Sequence, residues 1–478
     1  MCRRSSKMPV VLRLLFAATL LQASFASSAD SYLLNNVHIL PMDSPRLLRN
    51  HSVLVEDGVI TAIGISGLID APSEVEVVDG GGGFLMPGLS DMHAHIGGDA
   101  DSYKPGTVTV AENQLLRYLA TGVTLLRDTA GSPQHFEIST KLKNREWLGP
   151  DLYFTSPVLE GENAVWGEFT TKVLQADKAG KLVREYAEDG YWGVKVYHTV
   201  SAEVFDALIS AGERSSIPII GHVPFAVGIE RALRAGIYSI EHLRGYDFDG
   251  MTLQALAADG GRSAERFLSL KRMSEQRMEQ LVSLTLRHGV WNTPTLAINR
   301  FLFDQQSRAA LSEHPRYPLV HPNIRHAVEN ASQLDSIFSE GARDALQQVL
   351  PRQKELVKRL YEAGAGVLIG TDAVVAAWVP GFTAIDEMQS IAEAGLSNYD
   401  VLKMATVDAA RFMGISDERG TIAAGKQASF ILLDGNPLES LDNLWGLRGV
   451  LHNKRWLTAA QMRLQLEQQA ERFPPINK

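Results

Sequence analysis

Short apolar runs alternate with stretches of helical spacing through the middle of the chain. Amphipathic stretches such as 178–188, 202–210 and 278–288 separate the apolar runs. The predicted strands number eight, and they are the stretch 87–97 and the runs 123–128, 152–155, 193–197, 218–222, 237–242, 290–295 and 367–372. Alternating strands and helices favour a parallel sheet, and eight repeats favour a closed barrel. The sequence therefore predicts an α/β fold containing a (β/α)8 TIM barrel.

The two ends of the chain carry β-rich runs without intervening helices. Asp57-Gly58 between two of these runs is a hairpin signal, and the four glycines 80–83 predict a flexible break. The β-rich runs are 32–40, 51–55, 59–63, 75–83, 420–434 and 447–452. We predict that residues 30–87 and 420–478, the latter with a closing helix, form a small β-sandwich, and that 88–419 form the barrel domain.

The first 29 residues differ from the rest of the chain. Four basic residues precede an apolar run at 14–21, and small residues follow it, which is the three-part pattern of a secretory signal. The apolar run is too short to span a bilayer, so we expect no stable membrane anchor. Cleavage after Ala26 or Ala29 would remove Cys2, the only cysteine, and leave a protein without disulfides. Export without disulfides favours a bacterial periplasm, with an extracellular destination as the alternative.

Composition narrows the class of partner. The chain of 478 residues has a net charge of −9 and no basic block, which argues against nucleic acid. Its apolar content of 45% is typical of a globular protein. We expect a small-molecule substrate, and association into a homo-oligomer stays open.

Several of the apolar runs end in a polar side chain. In a parallel barrel, the C-terminal ends of the strands build the active site. His93 and His95 lie one residue apart, so their side chains share one face of a strand. The others are Lys195, His222, His242 and Asp372. Burying each of them alone is costly, and a divalent cation satisfies them together, as in catalytic zinc sites. Alternatives stay open: an ion pair of Lys195 with Glu241, hydrogen-bonded core histidines, and a helix cap at Asp372.

The motifs around these residues resemble those of metal-dependent amidohydrolases, in the branch with imidazolonepropionase-like enzymes and Xaa-Pro dipeptidases. They are Pro87-Gly-Leu-Ser-Asp-Met-His-Ala-His95, Arg127-Asp128, Val194-Lys-Val196, Gly221-His222, Ser239-Ile-Glu-His242, Gly370-Thr-Asp372 and Gly420-Thr-Ile-Ala-Ala-Gly-Lys426. The resemblance implies two divalent metal ions, zinc by default. It implies that His93, His95 and Asp372 bind one ion, that His222 and His242 bind the other, and that a carboxylated Lys195, formed with carbon dioxide, bridges both.

The resemblance also implies the chemistry. A hydroxide between the ions would attack the substrate carbonyl, and Asp372 would take its proton and pass it to the leaving nitrogen. The implied function is hydrolysis of a C–N amide bond in a dipeptide of the Xaa-Pro type or in an N-acyl amino acid. Alternatives are hydrolysis of a cyclic amide, deamination with a single metal ion, and binding without catalysis. Manganese, iron and cobalt fit the same ligands.

Candidate substrate contacts follow the fourth and sixth predicted strands, and they are Tyr197, His198, Arg244 and Tyr246. The guanidinium group of Arg244 can bind a substrate carboxylate through two hydrogen bonds. The alternative is that Arg244 lies on the surface without this role. The chain departs from the resemblance at Pro224, where many relatives carry a second histidine two residues after His222. This departure leaves the ligand set complete and bears on the substrate.

Overall fold

The computed structural model describes residues 30–97, 107–164, 170–252, 255–256, 264–298, 305–329, 340–373 and 379–474, with the backbone alone for 305–308. The predicted signal, residues 1–29, lies outside the described residues. The strands in the described part are β1 Tyr32–Ile39, β2 Leu48–Glu56, β3 Val59–Ile65, β4 Glu76–Pro87, β5 Leu89–Ala94, β6 Val123–Asp128, β7 Asp151–Phe154, β8 Val158–Glu160, β9 Thr170–Lys172, β10 Val194–Val196, β11 Ile219–Gly221, β12 Ser239–Glu241, β13 Trp291–Thr293, β14 Phe430–Leu433, β15 Leu447–His452 and β16 Arg455–Thr458.

Helices separate most of the strands in the middle of the chain. They are α1 Val110–Leu119, α2 Gln134–Lys143, α3 Ala176–Asp189, α4 Ala202–Ser215, α5 Ile229–Ala235, α6 Ala264–Arg272, α7 Glu275–Arg287, α8 Gln305–Glu313, α9 Pro322–Glu329, α10 Glu340–Glu362, α11 Phe382–Ala392, α12 Asn398–Lys403, α13 Ala409–Met413 and α14 Ala459–Glu471. Their starts follow ordinary capping rules: the Ser201 hydroxyl accepts a hydrogen bond from Val204 N at the start of α4, and Ser397 and Asp400 form a capping box on α12.

Strands from both ends of the chain form one seven-stranded sheet, in the order β16-β15-β14-β4-β1-β2-β3. The long strand β4 lies in its middle, parallel to β1 and antiparallel to β14. Buried residues from several of these strands, among them Leu34, Val53, Leu85 and Phe430, form a common apolar cluster. The terminal segments therefore join as predicted, but they are hydrogen-bonded as one sheet rather than as the two stacked sheets of a sandwich.

The glycines 80–83 lie inside β4 and do not break it. Their strand pairs with β1, with Val37 opposite Gly83. A Cβ atom on Gly80 would overlap the Val37 side chain and come within 3.0 Å of the Asn35 carbonyl oxygen. The prediction of a flexible break was wrong: the glycines form an irregularity within β4, where the register with β1 shifts between Asn35 and Val37, and Gly80 allows the close approach of the two strands.

The middle of the chain contains two parallel sheets, β5-β6-β7 and β13-β12-β11-β10-β8-β9. Seven of the eight predicted strands are present, and the short strands β8 and β9 were not predicted. The eighth run, 367–372, makes isolated parallel bridges to both sheets, from Val367 to Asn292 and from Ala373 to Ala94. A further bridge joins Thr155 to Gly193, between the end of the first sheet and the start of β10. The fold is thus α/β with several sheets, linked to one another through backbone contacts.

The central strands are buried along their whole length. Every residue of β5, β6, β10, β11 and β12 is buried, which is the pattern of parallel strands covered on both faces. One large apolar cluster extends from these strands to the inner faces of α1, α4, α7 and α10. Among the described residues, no helix is both long enough and apolar enough to cross a bilayer.

Gly370 lies where the eighth run crosses β5 and β13. A Cβ atom there would come within 2.7 Å of His93 Cβ and 3.0 Å of His93 N, and it would overlap Thr293 Cγ2. Hydrogen bonds from Met92 N to Ile369 O and from Thr371 N to His93 O hold the run at this distance. The close approach therefore requires glycine at position 370.

We expect Gly370→Ala to lower the free energy of unfolding by about 1–3 kcal/mol, because the added methyl group must push two strands apart. Chemical denaturation monitored by circular dichroism measures the change. Gly341→Ala in α10 is the matched control, since a Cβ atom there meets nothing within 4 Å. Equal stability of the two variants would contradict the proposed crowding.

Candidate active site

Three predicted metal ligands meet at the ends of β5 and the 367–372 run. His95 Nε2 lies 2.8 Å from Asp372 Oδ1, and His93 Nε2 lies 3.3 Å from the same oxygen. One ligand atom from each residue lies within 4.8 Å of the other two. The His93 side chain is fully buried, whereas 23% of that of His95 is exposed. The group is compact enough to share one cation, and it is open to solvent beside His95.

The other predicted ligands lie next to this group on neighbouring strands. The ring centroid of His242 is 4.4 Å from that of His93 and 5.0 Å from that of His222, so His242 lies between them. His242 Nδ1 is 2.7 Å from Thr295 Oγ1, and its Nε2 is 3.9 Å from Asp372 Oδ2. The structure therefore brings the four histidines and the aspartate to one end of the central strands.

Lys195 is an amine in the interior of the protein, with 2% of its surface exposed. It pairs in register with Ile220 of β11, two residues before His222. Burial lowers its pKa to about 8, although the negative charges of Glu241 and Asp372 favour the ammonium form. An appreciable fraction of the amine is then unprotonated near neutral pH, and the unprotonated amine is the form that combines with carbon dioxide.

A buried carboxylate, Glu241, orients His93. It accepts hydrogen bonds from His93 Nδ1 at 2.6 Å and from Arg127 Nη2 at 3.0 Å. The Arg127 guanidinium lies 4.8 Å from the centroid of the Phe412 ring. Burial opposes ionisation of Glu241, but the positive charge of Arg127 and the His93 contact outweigh it and hold the pKa of Glu241 well below its usual value. Glu241 is thus engaged by Arg127 and His93, and the alternative of a Lys195–Glu241 ion pair is not favoured.

Asp372 is ionised at neutral pH. Burial raises the pKa of its carboxyl group, but the neighbouring His242, His93 and His95 reverse this effect and hold the pKa well below its usual value. Its oxygens face the imidazoles, so it does not serve as the helix cap that the sequence left open. A negative charge at this position is suited to binding a cation and to accepting a proton.

Three residues at the site adopt a left-handed backbone, which is uncommon for residues other than glycine. The φ angles are +56° for His242, +51° for Thr295 and +56° for Asp372. His242 directly follows β12, Thr295 lies two residues after the end of β13, and Asp372 ends the 367–372 run. Such strain concentrates at functional sites, because the surrounding structure must hold the side chain in a required direction.

Sequence analysis gave no role to the buried carboxylate of Asp91, and it offered Glu241 only as an ion-pair partner of Lys195. Asp91 accepts hydrogen bonds from the Thr371 hydroxyl at 2.6 Å and from His93 N at 3.1 Å, and so ties β5 to the eighth run. Burial raises the pKa of Asp91 to about 7. The signal was available, since Asp91 and Glu241 interrupt apolar strands just as Lys195 does.

The hydrogen bonding of two imidazole nitrogens indicates whether the site suits a metal ion. His93 Nε2 and His222 Nε2 are both buried, and neither makes a hydrogen bond in the described structure, although the Asp372 carboxylate lies 3.3 Å from His93 Nε2. In each ring the other nitrogen is occupied, His93 Nδ1 by Glu241 and His222 Nδ1 by His198 at 3.0 Å. A buried nitrogen without a partner is costly, and a divalent cation would satisfy it. The residues present therefore fit a metal site.

The candidate substrate contacts divide into two groups. The Tyr197 ring lies 3.9 Å from that of His222, and Arg244 is 20% exposed and donates to Asp247 Oδ2 at 2.6 Å. His198 is buried against His222. Tyr246 is fully buried, and its hydroxyl lies 2.7 Å from Thr285 Oγ1 in helix α7. Tyr197 and Arg244 are therefore partly exposed, whereas Tyr246 and His198 are buried, so the prediction of these two as substrate contacts is not favoured.

A cavity of about 400 Å³ lies at the opposite end of the strands. Its lining includes Pro218, Ile219 and Tyr238 at the starts of β11 and β12, and none of the predicted ligands. We place the candidate site at the carboxyl ends, where the ionisable groups converge.

We expect Glu241→Gln to lower the free energy of unfolding at pH 7 by about 3 kcal/mol, because it leaves the buried Arg127 without its counter-charge. The stabilisation by the ionised Glu241 is fully present above its unfolded pKa of about 4.5 and is lost as the pH falls through its lower folded pKa. The wild type therefore loses more stability than the variant between pH 5 and acid unfolding.

Urea denaturation at a series of pH values provides this measurement. Glu279→Gln is the control, because the Glu279 side chain is 77% exposed and its nearest ion-pair contact, with Arg359, is 3.9 Å long. Its stability should stay within about 0.5 kcal/mol of the wild type at each pH. Parallel pH curves for the wild type and Glu241→Gln would contradict the assignment of an ionised Glu241.

Comparison with known proteins shows the family. The chain is 22% identical to ochratoxinase from Aspergillus niger over 443 residues, covering 85% of this chain and 82% of that protein. Among solved structures, it is similar to bottromycin amidohydrolase, with a TM-score of 0.70, 25% identity and coverage of 92% and 91%. It is also similar to a Xaa-Pro dipeptidase with bound methionine, with a TM-score of 0.65, 19% identity and coverage of 90% and 100%. The model of the amidohydrolase family matches residues 84–452, so the chain belongs to this family and is a hydrolase that acts on carbon–nitrogen bonds.

Proposed function

We propose that the protein is a binuclear metal-dependent amidohydrolase that cleaves the amide bond of a dipeptide, most plainly of the Xaa-Pro type, or of an N-acyl amino acid. The single observation that carries the proposal is the pair of buried nitrogens at one rim that make no hydrogen bond in the described structure, His222 Nε2 and His93 Nε2, the latter 3.3 Å from the Asp372 carboxylate. Asp372 and Lys195 lie at the same rim and supply the two remaining ligand types. The resemblance to a Xaa-Pro dipeptidase supports the choice of substrate.

The proposal includes a closed (β/α)8 barrel. The isolated bridges Thr155–Gly193, Asn292–Val367 and Ala94–Ala373 lie between the two central sheets and the 367–373 segment, and they support such a closure. A closed ring explains why ligands from β5 and from β12, which lie in different sheets, stand 4.4 Å apart at His93 and His242.

We assign His93, His95 and Asp372 to one divalent cation and His222 and His242 to a second, with carboxylated Lys195 between them. Formation of the carbamate joins Lys195 Nζ to carbon dioxide and releases one proton. Bound at this rim, the two ions, zinc in the first instance, would polarise the substrate carbonyl and lower the pKa of a water molecule. Asp372, held ionised by its imidazole neighbours, accepts the proton of that water and delivers it to the leaving nitrogen.

The substrate carboxylate is assigned to Arg244. Its Nη1 binds Asp247, its Nε is buried without a hydrogen-bond partner in the described structure, and the side chain follows His242 by two residues. Tyr197, whose ring lies against His222, would form the neighbouring wall of the substrate site. A dipeptide or N-acyl amino acid presents an amide nitrogen two bonds from a carboxylate carbon, which matches a cationic group beside the metal ligands.

Deamination is the second candidate function. The compact group His93, His95 and Asp372 forms a potential cation site without help from Lys195. A single-metal enzyme would release ammonia from its substrate, whereas the proposed enzyme would bind two ions and release an amino acid. A cyclic amide would yield one ring-opened product, and a binding protein would show no turnover.

We expect Lys195→Ala to reduce hydrolysis of a dipeptide and N-acyl amino acid library to below about one thousandth of the wild-type rate, because the bridge between the ions is lost. Metal content per chain, measured on the same samples, should fall below that of the wild type. Lys358→Ala is the control, since Lys358 pairs with Glu362 on the exposed side of α10. Full activity of Lys195→Ala with two ions bound would rule out the bridge.

We also propose that the protein is exported to the periplasm through residues 1–29. Expression of the full chain in a Gram-negative host should give a periplasmic protein whose N-terminus, read by mass spectrometry, begins at Ser27 or Asp30. Replacing Leu14 and Leu15 by aspartate should keep the uncleaved chain in the cytoplasm, because the apolar core of the signal is interrupted. Replacing the exposed Leu68 by aspartate is the control. An uncleaved N-terminus in every fraction would contradict export.

A further inference from the structure

The cavity of about 400 Å³ at the starts of β11 and β12 has no part in the proposed reaction. Its volume lies within the range of cavities that bind small molecules. Three aromatic residues in mutual contact belong to its lining, Trp192, Tyr238 and Phe412, with ring centroids 5.0, 5.3 and 6.3 Å apart. Trp192 and Tyr238 are partly exposed. The cavity therefore offers aromatic surface to a molecule that enters it.

Three helices end at this cavity. Their C-cap residues, Ser216 after α4, Gly236 after α5 and Gly414 after α13, all belong to its lining. The helical segment that ends at Gly414 is long, because the π-helical turn Met404–Asp408 joins α12 to α13. The last turn of a helix has carbonyl oxygens without intrahelical partners and carries a partial negative charge. The helix ends therefore favour a cation in the cavity.

The ionisable residues of the lining favour the same sign of charge. Among the described residues that line the cavity, Glu213 is acidic and none is basic. Glu213 is exposed in the last turn of α4, and it forms no ion pair with a described residue. The adjacent Arg214 donates a hydrogen bond to Ser210 Oγ at 2.6 Å instead. The lining thus carries one negative charge without a counter-charge in the described structure.

Two arginines close to the cavity do not cancel this charge. The Arg127 guanidinium lies 4.8 Å from the centroid of the Phe412 ring, but it pairs with Glu241 at 3.0 Å. Arg411, in the helix that ends at the cavity, pairs with Asp408 at 3.2 Å. Neither arginine belongs to the lining. Both positive charges are therefore neutralised outside the cavity.

We propose that this cavity binds an organic cation, an ammonium group carried on an apolar or aromatic body. The ammonium group is attracted by Glu213, by the helix carbonyl oxygens and by the electron-rich faces of the aromatic rings. The apolar body packs against Trp192 and Tyr238. A neutral molecule gains the apolar contact alone, and an anion is repelled. None of the candidate metal ligands lines the cavity, so this inference is independent of the proposed reaction.

Benzyltrimethylammonium is a suitable probe, because its charge does not depend on pH. In full-length protein labelled with ¹⁵N-tryptophan, the indole signal of Trp192 reports on the cavity, and it is the signal missing from Trp192→Phe. We expect this signal to shift saturably as the probe is added. Benzyl alcohol, which is neutral, and phenylacetate, which is an anion, should bind at least about tenfold more weakly, because they lack the positive charge.

Substitutions in the lining separate charge from aromatic contact. Glu213→Lys reverses the charge at an exposed position and should weaken binding of the probe about 5–20-fold. Tyr238→Leu removes one ring and should weaken it to a similar extent, whereas Tyr238→Phe keeps the ring and should bind within about threefold of the wild type. Glu188→Lys is the matched control, because Glu188 is exposed in the last turn of α3 and does not line the cavity.

The titrations have two clear opposing results. A Trp192 signal that the probe does not shift would overturn the inference, and so would equal affinities of Glu213→Lys and Glu188→Lys for the probe. Equal affinities of the wild type for the probe and for benzyl alcohol would also overturn it, because the cavity would then select for apolar contact alone. Weaker binding in Glu213→Lys and Tyr238→Leu, with the control unchanged, would support the organic cation.

Discussion

The candidate site depends on how the fold surrounds its imidazole rings. In the interior of the protein, an imidazole nitrogen without a hydrogen-bond partner costs free energy. Three of the four candidate ligand histidines have their Nδ1 next to a protein group: Glu241 for His93, His198 for His222 and Thr295 for His242. The Nε2 atoms of His93 and His242 lie 3.3 Å and 3.9 Å from oxygens of the Asp372 carboxylate. One nitrogen of each of these three rings is therefore engaged by the fold, which holds the ring beside the other candidate ligands.

Two buried arginines anchor the two halves of this arrangement. Arg127 lies against Phe412, pairs with Glu241 and so reaches His93. Arg266 lies among phenylalanine rings, pairs with Asp247 and reaches His222 through His198. In both cases a charge is neutralised by one carboxylate and sheltered by aromatic rings. The site is thus supported from below and from the side by the same combination of groups, although they come from unrelated parts of the chain.

Much of the fold could be predicted from the sequence, because a buried strand is recognisable there as a short run of apolar residues. Seven of the eight predicted strands are present, and the polar residues at the ends of the apolar runs come together in the structure. The eighth run makes isolated bridges instead of a strand, and Gly370 lies close to β5. The supporting contacts could not be predicted, since Glu241 and Arg127 are separated by more than a hundred residues and Arg266 belongs to a helix without a motif. Such partners are fixed by three-dimensional packing alone.

The strand β4 ends at Pro87 and β5 begins at Leu89, so the terminal sheet and the strand that bears His93 are almost one continuous piece of backbone. Residues 84–87 pair with β14, so the start of the strand that bears His93 is tied to residues 430–433, far along the chain. A substitution that loosens the terminal sheet would therefore also displace the first histidine pair, because the disturbance passes along one stretch of backbone.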